Sequence, residues 1–112
     1  MIIHKTLSTG RWFEFSIVEQ LANIGCDIDR AIRWRNAGNI EHSKAAFERA
    51  LELIDFTIAD PKNKGGGWRE VVRTREALVD YFAGDNIYNT TDKIWQDYFF
   101  NFNYLAAIRR GK

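Results

Sequence analysis

Ile17, Leu21, Ile24, Ile28 and Ala31 recur at intervals of four, three, four and three residues. That spacing returns each side chain to one stripe of an α-helix. Just upstream, Ser16-Ile17-Val18-Glu19 has the form of a capping box. In such a box the serine hydroxyl accepts from the Glu19 amide, and the Glu19 carboxylate accepts from the Ser16 amide. A helix with a marked start and one apolar face must bury that face against another element. The spacing therefore predicts a helix over 16–37 in a domain of helices packed side by side.

The punctuation that follows sets the remaining elements. Gly38 supplies the left-handed residue that ends a helix, and Asn39 caps the next one, over 40–59. So short a turn folds the second helix back antiparallel as an αα-hairpin. Its inner line is Phe47, Ala50, Leu51, Ile54 and Ile58. Asp60-Pro61 stops it, because the residue before proline avoids helical angles. Asp60 to Gly67, with three consecutive glycines, reads as a polar, mobile hinge. A third helix is expected over 68–83, with Val71, Val72, Leu78, Val79 and Phe82 inward and Gly84 as its C′ residue. Thr90 or Thr91 caps a fourth over 92–110, where Arg109 and Arg110 sit at the negative end. There is no β-type alternation and no repeat. The expected fold is all-α, an up-down-up-down antiparallel four-helix bundle over 16–110. Residues 1–15, with Ile2, Ile3, Leu7, Trp12, Phe13 and Phe15, form an apolar N-terminal arm that docks on the bundle or on a neighbouring subunit.

A length of 112 residues favours a single domain with one core. Sixteen basic and fifteen acidic side chains leave a net charge of +1, which gives no electrostatic pull toward nucleic acid or a membrane. No stretch approaches the roughly 20 apolar residues of a membrane-spanning helix, and the start does not read as a signal peptide. A cytoplasmic location is expected. Cys26 is the one cysteine, so no intrachain disulfide forms. It is expected to be a small buried apolar residue in a reducing compartment.

Sixteen aromatic residues are many for this length, and aromatics serve both cores and interfaces. The fourth helix carries them on two sides. Trp95, Tyr98, Phe99 and Phe102 share one side, while Phe100 and Tyr104 point the opposite way at about 100° per residue. No helix of a four-helix bundle is central, so a second cover is needed. The N-terminal arm or a partner subunit supplies it, and a homo-oligomer is expected. Arg30, Arg33, Trp34 and Arg35 cluster at the end of the first helix. Cations there complement the helix dipole, and Arg beside Trp also suits a phosphate and a stacked base. With Phe100 and Tyr104 they are the candidate binding surface for a protein or RNA partner.

Candidate chemistry is sparse. Glu41, Glu48, Glu52 and Asp55 line one side of the second helix, and Arg75 falls in phase with Val72 and Val79. A structural ion-pair network of Arg75 with Glu48, Glu52 or Asp55 is expected, since a buried guanidinium must be paired. Glu52-x-x-Asp55 resembles one carboxylate pair of the helical, magnesium-dependent nucleotide pyrophosphatases, but their Glu-x-x-Glu partner is missing. The Glu-x-x-His of di-iron bundles is also missing, so neither metal nor cofactor is expected. Lys64-Gly65-Gly66-Gly67 lacks the order of a P-loop. Cys26 has no histidine in an evident catalytic relation. Arg35-Asn36 followed by His42 resembles the ribonuclease motif of HEPN domains, where Arg and His act on the RNA phosphodiester. That resemblance implies an alternative, a HEPN-like endoribonuclease with Arg35 and His42 catalytic, although Gly38-Asn39 puts a turn between them.

Two blocks, Glu19-Gln20-Leu21-Ala22-Asn23-Ile24-Gly25 leading to Arg30-Ala31-Ile32-Arg33-Trp34, and Glu48-Arg49-Ala50-Leu51-Glu52-Leu53-Ile54-Asp55, stand with Arg73-x-Arg75-Glu76. Together they resemble a group of short prokaryotic helical proteins with no assigned function. The resemblance covers most of 12–109; it implies a cytoplasmic bundle and carries no catalytic residues over. In architecture alone the chain is similar to the four-helix proteins encoded in intervening sequences of ribosomal RNA genes, which self-associate into rings. The reading that follows is a non-enzymatic, self-associating adaptor or interaction module.

Overall fold

The computed structural model describes residues 9–110. A short helical turn, α1 (Thr9–Trp12), leads into α2 (Ile17–Asn36) and α3 (Ile40–Ala59). A single 3-10 turn (Pro61–Asn63) precedes α4 (Trp68–Ala83) and α5 (Asp92–Arg110). No strand occurs among the described residues. The four long helices form the expected bundle. Contacts between neighbouring helices run antiparallel, with Arg35 on Asp92 and Gly25 against Phe99 between α2 and α5. Phe47 stacks on Phe82, and Asp55 meets Arg75, between α3 and α4.

Both halves of the Ser16–Glu19 capping box are made, at 3.2 and 3.0 Å. Gly38 lies at φ +86°, and the Asn39 side chain accepts from the His42 amide at 3.0 Å. Gly84 departs from expectation. It is extended rather than left-handed, and the chain turns on Asn86 and Asn89 instead, at φ 53° and 55°. Asn tolerates that region better than most residues. Here the Asn86 amide oxygen also accepts from the Thr90 amide at 3.0 Å.

The core gathers Leu21, Ile24, Ile28, Ala31 and Ile32 of α2 with Ala46, Phe47, Ala50, Leu53 and Ile54 of α3. The buried face of α3 is rotated from the expected line. Ser43, Ala46, Ala50, Leu53 and Thr57 sit at its centre, while Leu51 and Ile58 are half-buried. Small residues there bring the α3 backbone close to α2, and the two hydroxyls are satisfied. Ser43 donates to the Ala31 carbonyl at 2.7 Å and Thr57 to the Leu53 carbonyl at 2.8 Å.

The expected mobile hinge is anchored at its first half, because Asp60 and Asn63 are buried. Gln20, at a stripe position of α2, donates to Asp60 at 2.8 Å and to the Trp12 carbonyl at 3.1 Å. Asn63 donates to Gln20 and to the Thr57 carbonyl, each at 3.0 Å. Lys62 closes on the Asp60 carboxylate. Trp12, fully buried, donates its indole N–H to Thr57 at 3.0 Å. Residues 11–15 of the expected arm thus dock on their own bundle, where α2 begins and α3 ends. Ile2, Ile3 and Leu7 lie outside the described residues.

Burial alone would raise the Asp60 carboxyl, but hydrogen bonds from Lys62 and Gln20 and the Lys62 charge outweigh it and hold the group below its usual range. Its stabilisation is therefore complete above the unfolded value of about 4 and is lost as pH falls through the lower folded value. Asp60→Asn is expected to cost about 2 kcal/mol at neutral pH, the scale of a hydrogen bond to a charged group. In chemical denaturation the gap to the parent chain narrows below about pH 4.

Candidate interaction surface

The fourth helix of the bundle, α5, decides what the surface offers. The Thr91 hydroxyl caps its start by accepting from the Ile94 amide at 3.2 Å, and the Trp95 indole donates to Thr90 at 3.0 Å. Trp95, Phe99 and Ala106 then face the core, flanked by half-buried Tyr98 and Phe102. The opposite side is uncovered within the described residues. Phe100, Tyr104 and Ile108 are 64%, 58% and 43% exposed, and their spacing of four makes one continuous ridge. The Phe100 and Tyr104 rings stack at 6.4 Å. Ile94 and Leu105 add further exposed apolar surface.

Beside that ridge, a groove of ≈ 570 Å³ runs between α2 and α5. Its buried lining includes Gly25, Ile28, Ile32, Trp95 and Phe99. Its exposed walls are Cys26, Arg30 and Arg33 on α2 and Gln96, Phe100 and Asn103 on α5. Cys26 is therefore not the buried residue expected; it lies one position from Gly25 and opens onto the groove. Arg30 pairs with Asp27 at 2.8 Å, and Arg33 with Asp29 at 2.9 Å.

The expected cationic cluster is divided. Arg30 and Arg33 join Phe100 at the groove. Trp34 turns to His42, with ring centroids 4.7 Å apart. Arg35 turns to the start of α5, donating to Asp92 at 2.6 Å and to the Tyr81 hydroxyl at 2.7 Å. Its guanidinium lies 4.7 Å over the Tyr81 ring. Asn36 donates to the same carboxylate at 3.1 Å, and so does the Tyr81 hydroxyl. Burial would raise Asp92, but these hydrogen bonds and the Arg35 charge keep it low. The same burial, with the bond to Asp92, pushes the Tyr81 hydroxyl up. The cluster fastens the end of α2 to the start of α5. Arg35 and His42 are thus engaged by different partners.

Arg75 pairs with Asp55 at 2.8 Å in a solvent-facing contact. Glu48 is exposed and Glu52 half-buried. Among the described residues no group of three or more His, Cys, Asp and Glu side chains is placed to hold a metal ion. No described helix is long and apolar enough to cross a membrane.

Between α4 and α5 a second cleft of ≈ 540 Å³ is bridged by Tyr98. Its hydroxyl donates to Glu70 at 2.6 Å and lies 3.1 Å from the Thr74 hydroxyl, and burial followed by the Glu70 bond drives it well above its usual range. Sequence reasoning places Tyr98 on the core side but not this bridge, because Glu70 lies 28 positions away.

Comparison with family models, curated proteins and solved structures finds no match. The functional reading therefore rests on the surface itself.

Proposed function

We propose that this chain is a non-enzymatic interaction module that associates with further copies of itself through the outward side of α5. The observation that carries this reading is the Phe100–Tyr104–Ile108 ridge, left in water by a helix whose other side is packed on α2. Contiguous apolar surface of this kind marks interaction sites on proteins that are otherwise well covered. Aromatic residues at the centre of such a patch supply most of the energy of an interface. A protein partner is favoured over RNA because the ridge of Phe100, Tyr104 and Ile108 carries no charge, and Arg30 and Arg33 beside it each pair with an aspartate on their own helix. The HEPN-like alternative needs Arg35 free to meet a phosphate, and its guanidinium is held by Asp92 and Tyr81.

Multi-angle light scattering at micromolar concentration tests the reading. The expected mass is at least twice the 13.1 kDa of one chain. Tyr104→Glu is expected to weaken association about 100-fold, since it places a charge inside an apolar contact. Its helical circular dichroism should be unchanged, because Tyr104 is exposed. A parent chain that stays at 13.1 kDa throughout overturns the proposal.

A further inference from the structure

The cleft between α4 and α5 combines an apolar floor with a cationic lip. Its floor is Ala77, Trp95 and Tyr98, and Ile94 forms one wall. The Trp95 and Tyr98 rings meet at 87° with centroids 5.9 Å apart. The polar groups at the floor are satisfied among themselves, since Tyr98 donates to Glu70 at 2.6 Å and lies 3.1 Å from the Thr74 hydroxyl. Arg69 and Arg73 stand along the α4 edge, exposed and one helical turn apart. No carboxylate among the described residues pairs with either. We infer that this cleft binds a small aryl carboxylate, with its ring on the floor and its carboxylate on Arg69 and Arg73.

Size, shape and charge each narrow the ligand. A volume of ≈ 540 Å³ lies within the range of small-molecule sites, which pair an apolar lining with a few placed polar groups. A protein partner would need roughly 800 Å² on each side, whereas a ligand of about 10–20 non-hydrogen atoms needs the cleft alone. Two rings at a right angle suit a flat body, which can lie on one face and meet the edge of the other. The apolar stems of Arg69 and Arg73 extend that surface toward the lip. The charged lining is two guanidinium groups against the Glu70 carboxylate, so one positive charge is left to match. On the facing helix Lys93 and Asp97 pair with each other at 2.8 Å and leave that balance unchanged. A monoanion fits where a phosphate dianion would exceed it, and a guanidinium fork suits a carboxylate. Tyr98 and Phe100 point roughly opposite ways around α5 at about 100° per residue. The cleft therefore lies away from the Phe100–Tyr104–Ile108 ridge, and it needs no second copy.

Calorimetric titration of the intact chain with 2-naphthoate tests the inference, with neutral 2-naphthamide as the matched probe of the same shape. For a ligand of about 13 non-hydrogen atoms the expected dissociation constant is on the order of 100 µM. The amide should bind about tenfold more weakly, because it lacks the charge that the two arginines meet. The double variant Arg69→Gln, Arg73→Gln should lose about the same factor for 2-naphthoate and none for the amide. Both side chains are exposed, so its helical circular dichroism should match the parent. Arg75→Gln removes a cation that α4 directs to Asp55 instead, and it should bind 2-naphthoate as the parent does. Absence of saturable 2-naphthoate binding up to millimolar concentration overturns the inference. Equal affinity for the two probes overturns it as well, and that comparison needs only the parent chain. So does undiminished 2-naphthoate binding by the double variant, which would put the probe on another apolar surface.

Discussion

Trp12→Ala is expected to lower the stability of the fold by about 4 kcal/mol, the range for deleting a fully buried tryptophan. In a domain of this size that moves the thermal midpoint down by roughly 15 °C. The side chain is 1% exposed and meets Phe15 edge-on at 5.6 Å, and its N–H reaches Thr57 across 45 positions of sequence. Removing it opens a cavity where α1, the start of α2 and the end of α3 converge. Thr57 keeps its own donation to Leu53 and loses one incoming donor, so most of the loss is packing. Trp12→Phe separates the two contributions. It retains much of the apolar volume and should cost about 1–2 kcal/mol for the lost hydrogen bond and the residual void. Urea denaturation checks both variants. A loss below about 1 kcal/mol for Trp12→Ala would mean that residues 11–15 do not pack on the bundle in solution.

What the sequence made legible was local. A capping box, a glycine at φ +86°, an asparagine cap and an Asp-Pro stop each act within four residues. Their consequences follow from backbone sterics and hydrogen bonding, whatever the rest of the chain does. The buried polar group of Gln20, Asp60 and Asn63 joins residues about 40 apart, and no spacing rule reaches that far. One sign was present: Gln20 occupies a position in phase with Ile17 and Ile24. A polar side chain there must find a buried partner or forfeit about 1–3 kcal/mol. The rotation of α3 was hidden for a different reason. Tracking large apolar residues misses Ser43, Ala46 and Ala50, whose small size is what allows close packing. At the surface, the two-sided character of α5 was readable from Phe100 and Tyr104. The division of Arg30, Arg33, Trp34 and Arg35 among three environments was not, because it depends on Asp92 and Tyr81, more than 45 positions away.

Gly25→Ala is expected to destabilise the chain by about 2 kcal/mol even though alanine is the better helix former by about 1 kcal/mol. A Cβ at this position would stand 2.6 Å from the Cβ of Phe99 and 2.9 Å from its Cγ. Carbon atoms prefer about 3.5–4 Å. The Phe99 Cβ is fixed to the α5 backbone and cannot rotate aside, so α5 itself must move outward by roughly 1 Å to restore that separation. That movement loosens Trp95 and Phe99, the two buried aromatics by which α5 packs on α2. Gly38→Ala is the control, because nothing lies within 4 Å of its added Cβ. It should cost only the left-handed strain of about 1 kcal/mol. The displaced α5 also changes the width of the groove it shares with α2. Urea denaturation of the two variants reads the difference. A net gain in stability for Gly25→Ala would show that helix propensity prevails and that α5 does not approach α2 this closely.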